Sequence, residues 1–154
     1  MIEIVKKELG ISKQEMRENI LAFEDVIKQQ EGHIVGSVHG NEEAPIEHEF
    51  GKGLYVRKLT MPAGMLNTSK IHRYRHAYFI MQGDVSIITD DKVIRVTAPH
   101  WGMTEPGTKR LVYTHEETVW ITTHGTENTD LEEIEKELIM PSFDELENLL
   151  ENEE

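Results

Sequence analysis

The chain has 154 residues, 29 acidic against 16 basic, a formal net charge of -13 and no cysteine. That length makes one domain with room for a core, and without cysteine there are no disulfides, thiol nucleophiles or thiolate metal sites, so any metal must be held by histidine and carboxylate. No apolar run is long enough to span a membrane and residues 1–10 lack the apolar stretch of a signal peptide, so a cytoplasmic location is expected.

Residues 1–31 read as a helix. Ser12 with Glu15 matches a capping box, Met16, Ile20, Phe23 and Ile27 recur at helical spacing, and Gly32 ends the run. From residue 32 to 128 the pattern turns to short β-branched and aromatic runs, with strands expected at 53–61, 69–72, 77–81, 84–89, 92–97, 108–114 and 118–124. Turn residues separate them, among them Pro62-Ala63-Gly64, Asp90-Asp91, Ala98-Pro99-His100 and Pro106-Gly107. Many short strands without intervening helices imply a mainly β sandwich or barrel. Residues 129–154 form an acidic helical tail, with Thr129/Glu132 and Ser142/Glu145 as expected caps, Pro141 between two helices, and residues 152–154 expected to fray.

Mapping the charge divides it. Residues 130–154 hold eleven acids and one base, whereas residues 51–83 hold no acid and six bases, Lys52, Arg57, Lys58, Lys70, Arg73 and Arg75. The tail is most simply a solvated face. So acidic an average argues against a duplex nucleic-acid binder, but it leaves room for a local anion pocket.

In the basic segment Gly64 is followed by five residues, Lys70, one residue, His72, three residues, His76, six residues and Gly83. This spacing resembles the first motif of the cupins, whose ligands are an H-x-H pair and a following glutamate; here Lys70 stands for the first histidine and His76 for the glutamate. The second motif is weaker: Glu105-Pro106-Gly107-Thr108-Lys109-Arg110 places Arg110 where the family keeps its last histidine. The runs Gly53-Leu-Tyr-Val-Arg57, Lys70-Ile-His72 and His115-Glu-Glu-Thr-Val-Trp120 are also similar to small cupin-like proteins of tailed bacteriophages. The resemblance implies a single cupin-type jelly-roll β-barrel, flanked here by an N-terminal helix and C-terminal helices, and commonly a homodimer, for which the apolar stripe of the first helix is a candidate contact. Phage origin would place the protein in host cytoplasm.

Alternate residues of a strand share a face, so Lys70 and His72 point together, with His76 able to face them after a bend. Two imidazoles make a poor metal site; a third comes from His124, ahead of His100 and His115, because strand parity groups Trp120, Thr122 and His124. Lys70, Arg110 and Arg57 would make the same interior cationic, needing either internal carboxylates (Glu105, Glu116 or Glu117) or an anionic ligand. Tyr78 and Trp120 are the rings expected to line such a ligand. His33, His39 and His48 are read as surface or turn residues.

Two functions follow. One is a binding module in which Lys70, His72, His76, Arg110, Arg57, Tyr78 and Trp120 hold a small anion of the sugar-phosphate or nucleotide class. The other is a metal-dependent enzyme with a divalent Fe, Mn, Ni or Zn on His72, His76 and His124. No Gly-rich phosphate loop and no G-x-S-x-G elbow is present, and Ser69 has no recognisable base.

Overall fold

The computed structural model describes residues 10–152. In chain order it contains α1 (Lys13–Ile27), β1 (Ile46–Gly51), β2 (Leu54–Met61), β3 (Leu66–Thr68), β4 (Ile71–His72), β5 (His76–Gln82), β6 (Asp84–Ile88), β7 (Val93–Thr97), β8 (His100–Thr104), β9 (Leu111–Thr114), β10 (Thr118–Gly125), α2 (Leu131–Leu138), β11 (Ile139–Met140) and α3 (Asp144–Glu151). The strands form a five-stranded antiparallel sheet, β1-β2-β10-β5-β8, a four-stranded one, β3-β9-β6-β7, and the small pair β11-β4. Among the described residues no helix is long and apolar enough to cross a membrane.

Register explains what meets in the interior, because directly paired residues of an antiparallel ladder lie on the same face. One inward row is apolar, Ile46, Leu59, Trp120 and Ile80. The next is polar: His48, Arg57, Thr122 and Tyr78. The third brings Tyr55 beside His124. From the opposing sheet Asn67 pairs with Val112, which lies against Ile87, and Arg110, two residues before Val112, keeps the same parity. The apolar rows interlock as the main core, with Ile80 and Val85 fully buried. Gly102 makes room for this packing, since a Cβ there would lie 2.8 Å from the Tyr78 ring.

The capping box of α1 is formed both ways: Glu15 N–H donates to Ser12 Oγ at 3.1 Å and Ser12 N–H to Glu15 Oε2 at 2.6 Å. Residues 1–9, included in the expected helix, and residues 153 and 154 of the fraying end lie outside the described residues. The buried face of α1 differs from the expected stripe. Ile20 and Ile27 pack on Leu111 of their own chain, with Val35 and Ile88, whereas Phe23 is 52% exposed. Glu24 sets this rotation by receiving Lys109 Nζ at 2.6 Å and the Thr68 hydroxyl.

Other boundaries also move. Strands β1, β3, β8 and β11 were not expected, the last lying in the tail read as helical; His100 is a strand residue rather than a turn, and residues 108–110 precede β9 instead of belonging to it. The cap of α2 is Asp130, not Thr129, its side chain accepting from Glu133 N–H at 3.1 Å. Helix α3 starts beyond Ser142 and has no side-chain cap. The tail is more than a solvated face: Ile134 and Leu138 pack on Tyr55, and Met140 is buried.

The Lys109–Glu24 pair gives a stability test, its side chains being only 8% and 13% exposed. Removing one member strands the other charge in a low dielectric. Lys109→Met should cost about 3 kcal/mol in urea unfolding, and Glu24→Leu with Lys109→Met should recover most of that loss; equal costs for single and double variants would show that the pair does not fix α1.

Candidate metal centre and anion cavity

His72 on β4, His76 at the start of β5 and His124 near the end of β10 converge at one end of the interior. Their ligating nitrogens all lie within 4.8 Å of one another. Ring centroids are 4.4 Å apart for His72 and His76, 4.5 Å for His76 and His124, and 5.1 Å for His72 and His124. His76 and His124 are buried and His72 is half-buried.

Two ring nitrogens of the cluster are buried without a hydrogen-bond partner. His76 Nδ1–H donates to the Tyr74 carbonyl at 3.2 Å, so Nε2 carries the lone pair, and that atom is buried without a partner. His72 Nδ1 is likewise buried and unpartnered, while His124 Nε2 is 2.9 Å from Thr122 Oγ1. An imidazole whose other nitrogen is tied to a carbonyl or hydroxyl is the usual metal-binding arrangement. Burial, reinforced by neighbouring cations and imidazoles, drives all three away from protonation: His72 well below its usual range, His76 to about 4 and His124 to about 3. Neutral imidazoles are what a divalent ion requires.

His72 owes its place to the tail. Its strand β4 pairs with β11, Ile139 lying opposite His72 and Met140 opposite Ile71. Arg73 adds a clamp, its backbone N–H donating to Leu138 O at 2.8 Å and its guanidinium to Glu145 at 3.0 Å.

His72 and His124 also border an interior cavity of about 110 Å³ whose walls include Arg57, Asn67, Arg110 and Trp120. Lys70 stands at its rim in contact with Glu135 of α2. This corrects the expected pairing: Glu105 is taken by Arg75 at 2.7 Å and Glu117 by Gln82, and the carboxylate that meets Lys70 comes from the tail. Burial and the like charge of Arg57 lower the Lys70 amine to about 8.

Arg57 and Arg110 have no carboxylate within ion-pair distance among the described residues. Arg110 is 5% exposed, and burial lowers it to about 10. Its guanidinium lies 5.0 Å from the Tyr78 ring centroid and 5.4 Å from that of Trp120, yet Nη2 has no hydrogen-bond partner. Tyr78 does not line the cavity; stacked on Trp120 and bonded through its hydroxyl to His100 at 3.1 Å, it supports Arg110 from behind. His76 borders the histidine cluster rather than the cavity itself.

Two cavity residues escaped the sequence reading. His48 is not a surface residue: its Nε2–H donates to Val38 O at 2.9 Å, so Nδ1 accepts from the Tyr55 hydroxyl at 2.7 Å. The alternation of Ile46, His48 and Phe50 with Glu47 and Glu49 was the available signal. Asn67, on the three-residue β3, carried none.

No family model and no curated protein sequence matches the chain. Solved structures do. The plu4264 protein from Photorhabdus luminescens aligns with a TM-score of 0.50 at 12% identity, over 64% of this chain and 88% of that one. KdgF from Halomonas sp. gives 0.50 at 11% identity, over 59% and 86%. The cupin domain of Schizosaccharomyces pombe Cnp3 gives 0.48 at 16% identity, over 62% and 67%. At these identities the likeness is one of fold, and the fold is of the cupin type, mainly β with N- and C-terminal helices.

Because folding lowers the three histidines, the unfolded chain binds more protons below its own pKa of about 6.5. Stability of metal-free protein should therefore be level between about pH 7 and 8, below the range in which Lys70 titrates, and fall as pH drops toward 4, with a slope of up to about 1.4 kcal/mol per unit for each histidine. Urea midpoints at pH 7.5, 6 and 5 would measure it; a flat profile would mean that the cluster is not held neutral.

Proposed function

We propose that this chain is a small-molecule-binding protein of the cupin fold, whose cavity takes an anionic ligand between Arg57 and Arg110 beside a divalent-metal site on His72, His76 and His124. The observation that carries the reading is the unpaired buried guanidinium of Arg110. Burying an ionised group without a counter-charge is costly, and among the described residues the carboxylate that lines the cavity, Glu135, is engaged with Lys70. A ligand carboxylate or phosphate would supply what the chain omits, with two planar donors suited to bidentate recognition.

The orphaned His72 Nδ1 and His76 Nε2 fit a metal ion. Three neutral imidazoles would hold it and leave coordination positions for solvent or ligand, as in sites where a metal polarises a bound oxygen. The protein's part is then to orient the anion with Arg57 and Arg110, to exclude water with Trp120 and α2, and to keep the histidines unprotonated. This arrangement also favours metal-dependent turnover as a second reading, since an anion on the guanidinium pair would sit in the same enclosed space as the metal.

Arg110→Met tests the anion site through an unusual sign. Replacing an uncompensated buried cation by an apolar side chain should raise the stability of ligand-free protein, by about 1 kcal/mol or more, while abolishing any thermal stabilisation by added anions. Loss of stability with anion response retained would contradict the assignment. His72→Ala and His76→Ala should each remove stoichiometric metal from untagged protein in elemental analysis.

A further inference from the structure

The cavity limits what the anion can be. A dry apolar cavity of about 150 Å³ accommodates benzene, with its six carbon atoms; at about 110 Å³ the present one has room for a ligand on the order of six non-hydrogen atoms. A sugar phosphate or a nucleotide exceeds that size about twofold or more, and Leu131, Ile134 and Leu138 of α2 form part of the wall.

The unmet polar atoms narrow it further. Arg110 Nη2 calls for an acceptor, and Arg57, across the cavity on the opposite sheet, adds a second cation. Asn67 Oδ1, paired in register with Val112 and bordering the same space, is buried without a partner. A fixed buried amide left unsatisfied costs free energy that a ligand can recover. The complementary group must be uncharged, because an ammonium would be repelled by Arg57 and Arg110, and a hydroxyl, both donor and acceptor, satisfies the amide in either orientation. Leu59, Met61 and Val112 offer an apolar wall to a short carbon backbone.

We propose that the natural ligand is a short hydroxycarboxylate, its carboxylate on Arg110 and Arg57 and its hydroxyl on the Asn67 side-chain amide. The inference rests on reading the cavity as an anion site and adds the ligand's size and its second functional group. Arg110 and Asn67 are therefore binding residues with separate duties, affinity for charge and discrimination for the hydroxyl.

The test uses purified full-length protein freed of metal on a chelating resin, titrated calorimetrically with lactate and propionate, which differ only by the hydroxyl, and with inorganic phosphate, ribose 5-phosphate and AMP. Lactate should bind at least about tenfold more tightly than propionate, the worth of one well-made hydrogen bond to a buried group, with no binding of ribose 5-phosphate or AMP. Asn67→Leu should bring the ratio to about one while propionate still binds, and the wild-type ratio decides the matter independently of that variant. Equal affinity for lactate and propionate, or tighter binding of AMP or ribose 5-phosphate, would overturn the hydroxycarboxylate inference and leave the anion site standing. If none of the anions binds, phosphate included, the anion site itself falls.

Discussion

The pairing of the acidic tail with the basic segment of the sheets is the contact on which the rest of the molecule depends. Strand β4 is two residues long, and β11 gives it its ladder partner. That pairing, with the Gly107 N–H donating to the His72 carbonyl at 2.9 Å, holds His72 within reach of His76 and His124. The same tail places Glu135 on Lys70 and Glu145 on Arg73, and lays Ile134 and Leu138 against Tyr55. A net charge of -13 therefore includes two segments of opposite sign that neutralise one another in part, and the tail supplies part of the cavity wall.

The neutralisation is selective. Lys70 and Arg73 receive carboxylates, whereas Arg57 and Arg110, between the two larger sheets, receive none among the described residues. Two unpaired guanidiniums beside a cluster of three neutral imidazoles leave positive charge without a counter-charge among the described residues, and a divalent cation alone would add to it. Metal and anion should consequently assist one another, each lowering the cost of the other, as linkage requires. The Tyr78 and Trp120 rings beneath Arg110 contribute cation–π attraction of about 1 kcal/mol, which orients the guanidinium without replacing a counter-ion.

Much of this was legible from local pattern. Strand parity and the cupin-like spacing pointed to Lys70, His72 and His76, and alternation along one strand grouped His124 with Trp120 and Thr122, because these relations span few residues. The rest depended on distant segments. Glu135 reaches Lys70 only after the tail folds back onto the sheets, and no periodicity announces that. Asn67 lies on a strand too short to show alternation, and His48 was hidden by the neighbouring glutamates, although their regular spacing was the clue. The face of α1 was misjudged because a charged residue, Glu24, is buried where Phe23 was expected.

The claim that one cavity joins a metal site to an anion site is tested most directly by titrating metal-free protein with Co²⁺, followed by its visible absorption, with and without saturating propionate. The account predicts one ion per chain, lost in His124→Ala, with affinity raised about tenfold or more by the carboxylate, a coupling of about 1.4 kcal/mol. Cobalt affinity that is indifferent to propionate would contradict it, as would a protein that binds no cobalt at all.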